Sequence, residues 1–263
     1  MPEPLLTRYL QPLLAGRRAE CFTLINKALQ DGAAAHGLLT EVVWPAMTQV
    51  DRLFREDIIN TAAENMAARI NRTVADMLQA HLPQAPPKGK RALIHCVEHG
   101  HEETGAQIIA DLFAAQGWDS YLVGAGVPRD ELLKLTGRLG PDVFVVYGTP
   151  PSAVPDVRSL ITTIREIGVC ATMQVIASGG VFNRADGLWQ EVGADVFAEN
   201  APTLIELAES LPPRSPNVPR PTGLVKKRHR RRKGASLVAG AGTYAAPVVG
   251  AEAGFGCVPT GRA

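Results

Sequence analysis

No stretch of this 263-residue chain approaches the roughly 18 uninterrupted apolar residues of a membrane span, and its start, MPEPLLTRYLQ, lacks a basic region followed by an apolar run. Neither a span nor a secretory leader is expected, and a cytoplasmic protein is. Cysteine is scarce: Cys21, Cys96, Cys170 and Cys257 lie far apart with no paired spacing. That argues against a disulfide framework or a zinc knuckle and leaves reduced thiols as the expectation. What the chain does have is apolar material, 46% of residues against 20% charged, enough for one large core or two smaller ones.

Net charge is close to zero, but its distribution is uneven. From Leu211 onward there are ten Lys/Arg and one Asp/Glu, a net of +9; the remaining 17 basic and 25 acidic residues give the body −8. An acidic body with a basic tail points to a segment that seeks anions or folds back on its own body. Seven prolines and eight glycines in residues 211–263 predict disorder there.

Two rhythms organise the rest. Leu10, Leu13 and Leu14, then Cys21, Leu24, Ile25, Ala28 and Leu29, then Val43, Met47, Val50 and Phe54, recur at three- and four-residue steps. With further helix starts near Gly37 and Ile58, residues 1–80 read as a four-helix bundle. HLPQAPPKGK (81–90) breaks the periodicity and serves as a linker. Beyond it, apolar runs at 91–97, 119–124, 142–148, 173–178 and 194–198 alternate with helical patterns at 103–116, 129–139, 153–167, 185–192 and 202–210. Residues 91–210 are therefore expected to form a five-stranded parallel, flavodoxin-like (Rossmann-like) α/β domain. Ligands of such sheets bind at the carboxyl ends of the strands, where the strand order reverses.

The chemistry concentrates just after the first strand, in Cys96-Val97-Glu98-His99-Gly100-His101-Glu102-Glu103-Thr104-Gly105. Three of the six histidines (His95, His99, His101) and three carboxylates cluster where a strand gives way to a helix, the place a doubly wound sheet keeps its ligand loop. Gly105 lets the first helical turn approach whatever lies above it. The plainer alternative is a solvated loop in which Glu102 and Glu103 favour the helix N-terminus.

This layout resembles the cobalamin-binding modules of methionine synthase, corrinoid methyl carriers and light- or cobalamin-sensing regulators. Their mark is Asp/Glu-x-His-x-x-Gly, followed at set distances by Ser-x-Leu and by Gly-Gly. Counting on from Gly105 brings the second mark to Tyr147-Gly148-Thr149 and the third to Gly179-Gly180, after Ser178. The resemblance implies cobalamin held between the helical cap and the α/β domain. It also implies a histidine ligand to cobalt from below, but Glu102 stands at that position and His101 one residue earlier. One helical step turns a side chain by about 100°, so His101 reaches the same point only with a compensating insertion. His101 is accordingly the expected cobalt ligand, His99 the second choice, and Glu98, Glu102 or Glu103 would orient the imidazole. Tyr147 replaces the serine that lines the slot for the nucleotide tail: a hydroxyl survives, but the slot narrows. Gly179 and Gly180 match fully.

In the regulator branch an aromatic residue is followed ten positions later by Glu-His, and both cover the upper face of the corrin. Here Phe54 is followed by Glu64-Asn65, so the aromatic and the glutamate are retained and the histidine is not. As a residue on an amphipathic helix, Phe54 also reads as core.

In the tail, Lys226, Lys227, Arg228, Arg230, Arg231, Arg232 and Lys233 surround a single histidine with no interleaved aromatic. Such a run engages phosphates without reading bases, or docks on a protein partner. The resulting expectation is a cobalamin-binding sensor or regulatory protein, more a binder than an enzyme. The alternatives are a corrinoid methyl carrier for a methyltransferase, or a cobalamin-free interaction protein that uses its tail.

Overall fold

The computed structural model describes residues 3–97, 102–148 and 150–215. The first helices are α1 (Leu5–Leu14), α2 (Arg18–Gln30) and α3 (Ala35–Leu38). α3 continues through a π-helical turn, Leu39–Val43, into α4 (Trp44–Arg55), and α5 (Thr61–Gln79) completes the cap. The widened turn has a cause in the sequence. Pro45 has no N–H to offer the preceding turn and its ring crowds the carbonyl four residues back, so the helix expands there and keeps going. The fourth helix starts at Thr61 because Asn60 caps it, its Oδ1 accepting the Ala63 N–H at 2.9 Å.

After the linker come β1 (Arg91–Cys96), α6 (Glu102–Ala115), β2 (Asp119–Gly124), α7 (Arg129–Leu139) and β3 (Val143–Tyr147). A 3-10 turn (Pro151–Ala153) leads into α8 (Val154–Ile167), β4 (Gln174–Ser178), α9 (Gly180–Arg184), α10 (Leu188–Glu191), β5 (Val196–Ala198) and α11 (Ala201–Ser210). All five strands are parallel, in the order β2-β1-β3-β4-β5. The order reverses between β1 and β3, so a crevice at their carboxyl ends is the natural ligand position. Of the helix expected over 185–192 only α10 forms, after Gly187 adopts φ +76°, and the short α9 precedes that range.

The pleat sorts the strands into two cores. Ala92, Ile94 and Cys96 of β1 and Val143, Val145 and Tyr147 of β3 face α6, α11 and the cap. Leu93 and Phe144, Val146, Val175 and Ala177 face α7 and α8. The first core runs without a break from Tyr9, Leu13 and Ile25 in the cap, through Ile109 and Phe113 of α6, to the sheet. Cap and sheet thus share one hydrophobic interior rather than owning one each. Polar links cross the same seam: Gln107 donates to Asp76 (2.5 Å), Arg72 pairs with Glu103 (3.4 Å) and Arg184 with Asp51 (3.5 Å).

The linker is anchored. Ala85 N–H donates to the Ala115 carbonyl (2.9 Å) and Lys88 N–H to that of Gly117 (2.8 Å). At the other end, Leu211–Ser215, expected as the start of the tail, stays attached: Arg214 donates to Asp195 (2.9 Å) and Gln174 to the Pro212 carbonyl (2.7 Å). Asp195 also pairs with Arg165, so one carboxylate holds two guanidinium groups. Among the described residues no helix is long and apolar enough to cross a membrane, and Cys21 and Cys170 are free thiols.

Candidate functional site

The strand-order reversal brings the three sequence marks into contact. Tyr147, the last residue of β3, is in register with Ser178, the last residue of β4. The Gly148 N–H donates to the Ser178 carbonyl at 3.0 Å. Gly179 adopts φ +109°, and a Cβ added there would fall 2.3 Å from the Gly148 carbonyl oxygen. The Gly179 requirement is thus backbone on backbone: the ends of β3 and β4 approach too closely for any side chain between them. Ser178 is fully buried and its hydroxyl donates to the Ala198 carbonyl at 2.8 Å, so it ties β4 to β5.

Gly105 serves a different neighbour. It lies in the first turn of α6, directly over the Tyr147 ring, and a Cβ on it would sit 2.3 Å from Tyr147 Oη and 2.5 Å from Cζ. From the cap, Trp44 meets the same ring edge-on, centroids 6.1 Å apart and planes at 76°. Tyr147 is only 6% exposed. Sequence reasoning missed Trp44, although the Trp-Pro pair that opens α4 was a usable signal: a proline inside a helical pattern marks a distortion, and π-helical turns concentrate at functional sites.

The cap reaches along the rim from β3 toward α9. Trp44 starts α4 over Tyr147, and two turns later Asp51 pairs with Arg184 at the end of α9. Phe54, half-buried, follows one turn beyond Asp51. Glu64 and Asn65, also half-buried, stand in the first turns of α5, where the Asn65 amide donates to the Thr61 carbonyl of its own helix (2.9 Å).

The histidine cluster divides. His95 is on β1 and alternation turns it to the α7/α8 face, where its Nδ1 bonds the Gly124 carbonyl (3.0 Å) and its ring stacks on Phe144 (6.5 Å). Burial pushes its pKa down from the ordinary histidine value, partly offset by that hydrogen bond. It lines a cavity of about 210 Å³ with Val127, Arg129, Leu132, Asp156 and Leu160. Glu98, His99, His101 and Thr149 lie outside the described residues, as do Lys226–Lys233; Glu102 opens α6.

A cobalt corrinoid is a flat ring with a nucleotide tail, and the two parts fare differently here. At the β1/β3 reversal, Trp44 and Asp51 bring α4 over the rim. The slot between α6 and β3 does not fit a tail, because the cradle left by the missing Cβ of Gly105 already holds the Tyr147 phenol.

Comparison with known proteins bears on the whole arrangement. One family model, described as a B12 binding domain, matches residues 90–208, and a second of the same description matches residues 5–79. Among curated proteins, the chain is 23% identical over 168 residues to dimethylamine corrinoid protein 1 of Methanosarcina acetivorans, covering 63% of this chain and 78% of that one. It is 24% identical over 153 residues to dimethylamine corrinoid protein 3 of Methanosarcina mazei, covering 57% and 87%. Among solved structures, the Methanosarcina barkeri monomethylamine corrinoid protein superposes with a TM-score of 0.69 at 17% identity, over 79% of this chain and 98% of that one. That likeness is one of fold.

Proposed function

This chain belongs to the B12-binding domain family, and from that premise we propose that it is a corrinoid carrier, holding cobalamin under the helical cap and presenting it to a partner methyltransferase. The observation that carries the reading is the pairing of both family regions, cap and α/β domain, in one continuous core whose rim lies at the strand-order reversal. The names of the relatives put the carrier, one of the alternatives in the sequence-based reading, ahead of the sensor. The sensor or regulator that stood first gains nothing from the comparisons, whereas the relatives above are named as corrinoid proteins.

In this proposal Phe54 and Glu64 would hold the ring from the cap, and His101 would supply an imidazole ligand to the metal. The bound group supplies a cobalt that accepts and gives up a methyl group. The chain's own part is to hold the ring by its edge, exclude water beneath the cap and leave one side open to the partner. Nothing in that role requires a catalytic side chain, and Ser178 and Asn65 are spent on backbone carbonyls.

The test is a methylation cycle on the full chain. Loaded with hydroxocobalamin, reduced to Co(I) and treated with a methyl donor, a carrier forms methylcobalamin that remains protein-bound through desalting. Release of the corrinoid on methylation, or binding confined to the adenosyl form, would favour a sensor and contradict the carrier.

A further inference from the structure

Resting on the carrier reading, we propose that Tyr147 stops the nucleotide tail from entering the α/β domain, so that this chain recognises a corrinoid by its ring and leaves the nucleotide outside. The space between α6 and β3 is enclosed on three sides by protein atoms. Gly105 presses on the phenol from α6, where even a methyl group would fall within 2.5 Å of Oη and Cζ. Trp44 closes the side toward the cap, its ring nearly perpendicular to the phenol. Val145, Ile94 and Ala106, all fully buried, belong to the same core as the ring. A packed interior has no spare volume for an aromatic base.

Gly105 and Tyr147 therefore form one filled unit, in which the helix lacks a side chain because the strand supplies a large one. A serine at 147 would leave roughly the volume of a six-membered ring empty beside Gly105. Swinging the phenol out instead would displace Trp44 and with it the α4 roof, which Arg184–Asp51 also pins (3.5 Å). A closed slot removes the tail's favourable contribution to affinity, so a corrinoid without a nucleotide should bind at least as well as a complete one.

The experiment titrates the full chain with aquocobalamin and with diaquocobinamide, which has the ring but no nucleotide, and reads dissociation constants from the absorption change. Wild type is expected to bind cobinamide at least as tightly as cobalamin, within threefold on the weaker side. Tyr147→Phe, which keeps the ring, should preserve that ratio; Tyr147→Ser, which opens the slot, should shift it tenfold or more toward cobalamin with cobinamide unchanged. A tenfold preference of the wild type for cobalamin would overturn the closed slot while leaving the carrier reading intact. So would an unchanged ratio in a folded Tyr147→Ser. Binding of neither corrinoid by the wild type would overturn the carrier reading and this inference with it. If Tyr147→Ser does not fold, the ratios for wild type and Tyr147→Phe still decide.

Discussion

Trp44, at the start of α4, meets Tyr147, at the carboxyl end of β3, edge to face at a centroid distance of 6.1 Å. This pair is the aromatic joint between the helical cap and the sheet, and it lies where the strand order turns. Such pairs contribute roughly 0.5–1.5 kcal/mol beyond the area they bury. Removing either ring also opens a cavity in the shared core, with a cost of about 3–5 kcal/mol for a large aromatic. Trp44→Ala is therefore expected to lower the melting temperature in one transition that includes the sheet. Loss of cap helicity with the sheet melting separately and unshifted would show that the core is not shared.

Asp111 lies on α6 at the same seam, and its carboxyl is pushed up to about 6, first by burial and second by the nearby charge of Asp76, with Gln107 pulling the other way. Its Oδ2 has no hydrogen-bond partner. The folded state thus holds this proton more tightly than the unfolded chain does. Stability should be greatest below about pH 4 with respect to this group and decline as pH rises through 6, by at most about 3 kcal/mol. Asp111→Asn should stabilise the protein at pH 7.5 and leave it unchanged near pH 4; equal effects at both pH values in urea titrations would contradict the assignment.

Gly179 should be intolerant for a structural reason. Gly179→Ala places a Cβ 2.3 Å from the Gly148 oxygen at φ +109°, and the combined strain and clash should cost about 2–3 kcal/mol or more. For a domain of this size that is a melting-temperature drop of very roughly 5–10 °C. Gly179 variants are consequently poor probes of tail binding, since they deform the sheet. An unshifted melting curve would show that the strand ends separate freely.

Much of this fold is legible in the sequence. All five strands start within two residues of the expected apolar runs, because each run is short, bounded and followed by a helical pattern. The cap helices follow from three- and four-residue spacing. What failed was non-local or interrupted. The Trp44–Tyr147 contact joins distant segments and leaves no periodic trace. His95 was grouped with His99 and His101 by proximity in the chain, although two-residue alternation along β1 already placed it opposite Ile94 and Cys96. Tyr147 was recognised as narrowing a slot, but that its ring fills the space over Gly105 needed the helix position.

If His101 ligates cobalt, the cleanest proof uses Co(II) cobinamide, which carries no base of its own. Any nitrogen splitting in its electron paramagnetic resonance spectrum must then come from the protein. The splitting is expected in the wild type and should disappear in His101→Ala. Persistence in the double His99→Ala/His101→Ala variant would exclude this loop as the source.

The run Lys226–Lys233 should bind polyanions without sequence preference. Each phosphate neutralised on duplex DNA contributes about −0.9 to the slope of log K against log salt, so engaging most of the run implies a slope of about −5 to −6. Removing residues 216–263 should abolish that binding and leave corrinoid affinity unchanged. The same slope in the truncated protein would place the contact elsewhere.

The most direct measurement is the simplest: the full chain incubated with hydroxocobalamin, desalted and scanned in the visible range. Retention of close to one corrinoid per chain, with a spectrum shifted from that of the free compound and lost when the protein is unfolded, is the predicted result. A colourless protein at micromolar concentrations, with all corrinoid in the small-molecule fraction, would contradict a carrier of cobalamin beneath this cap.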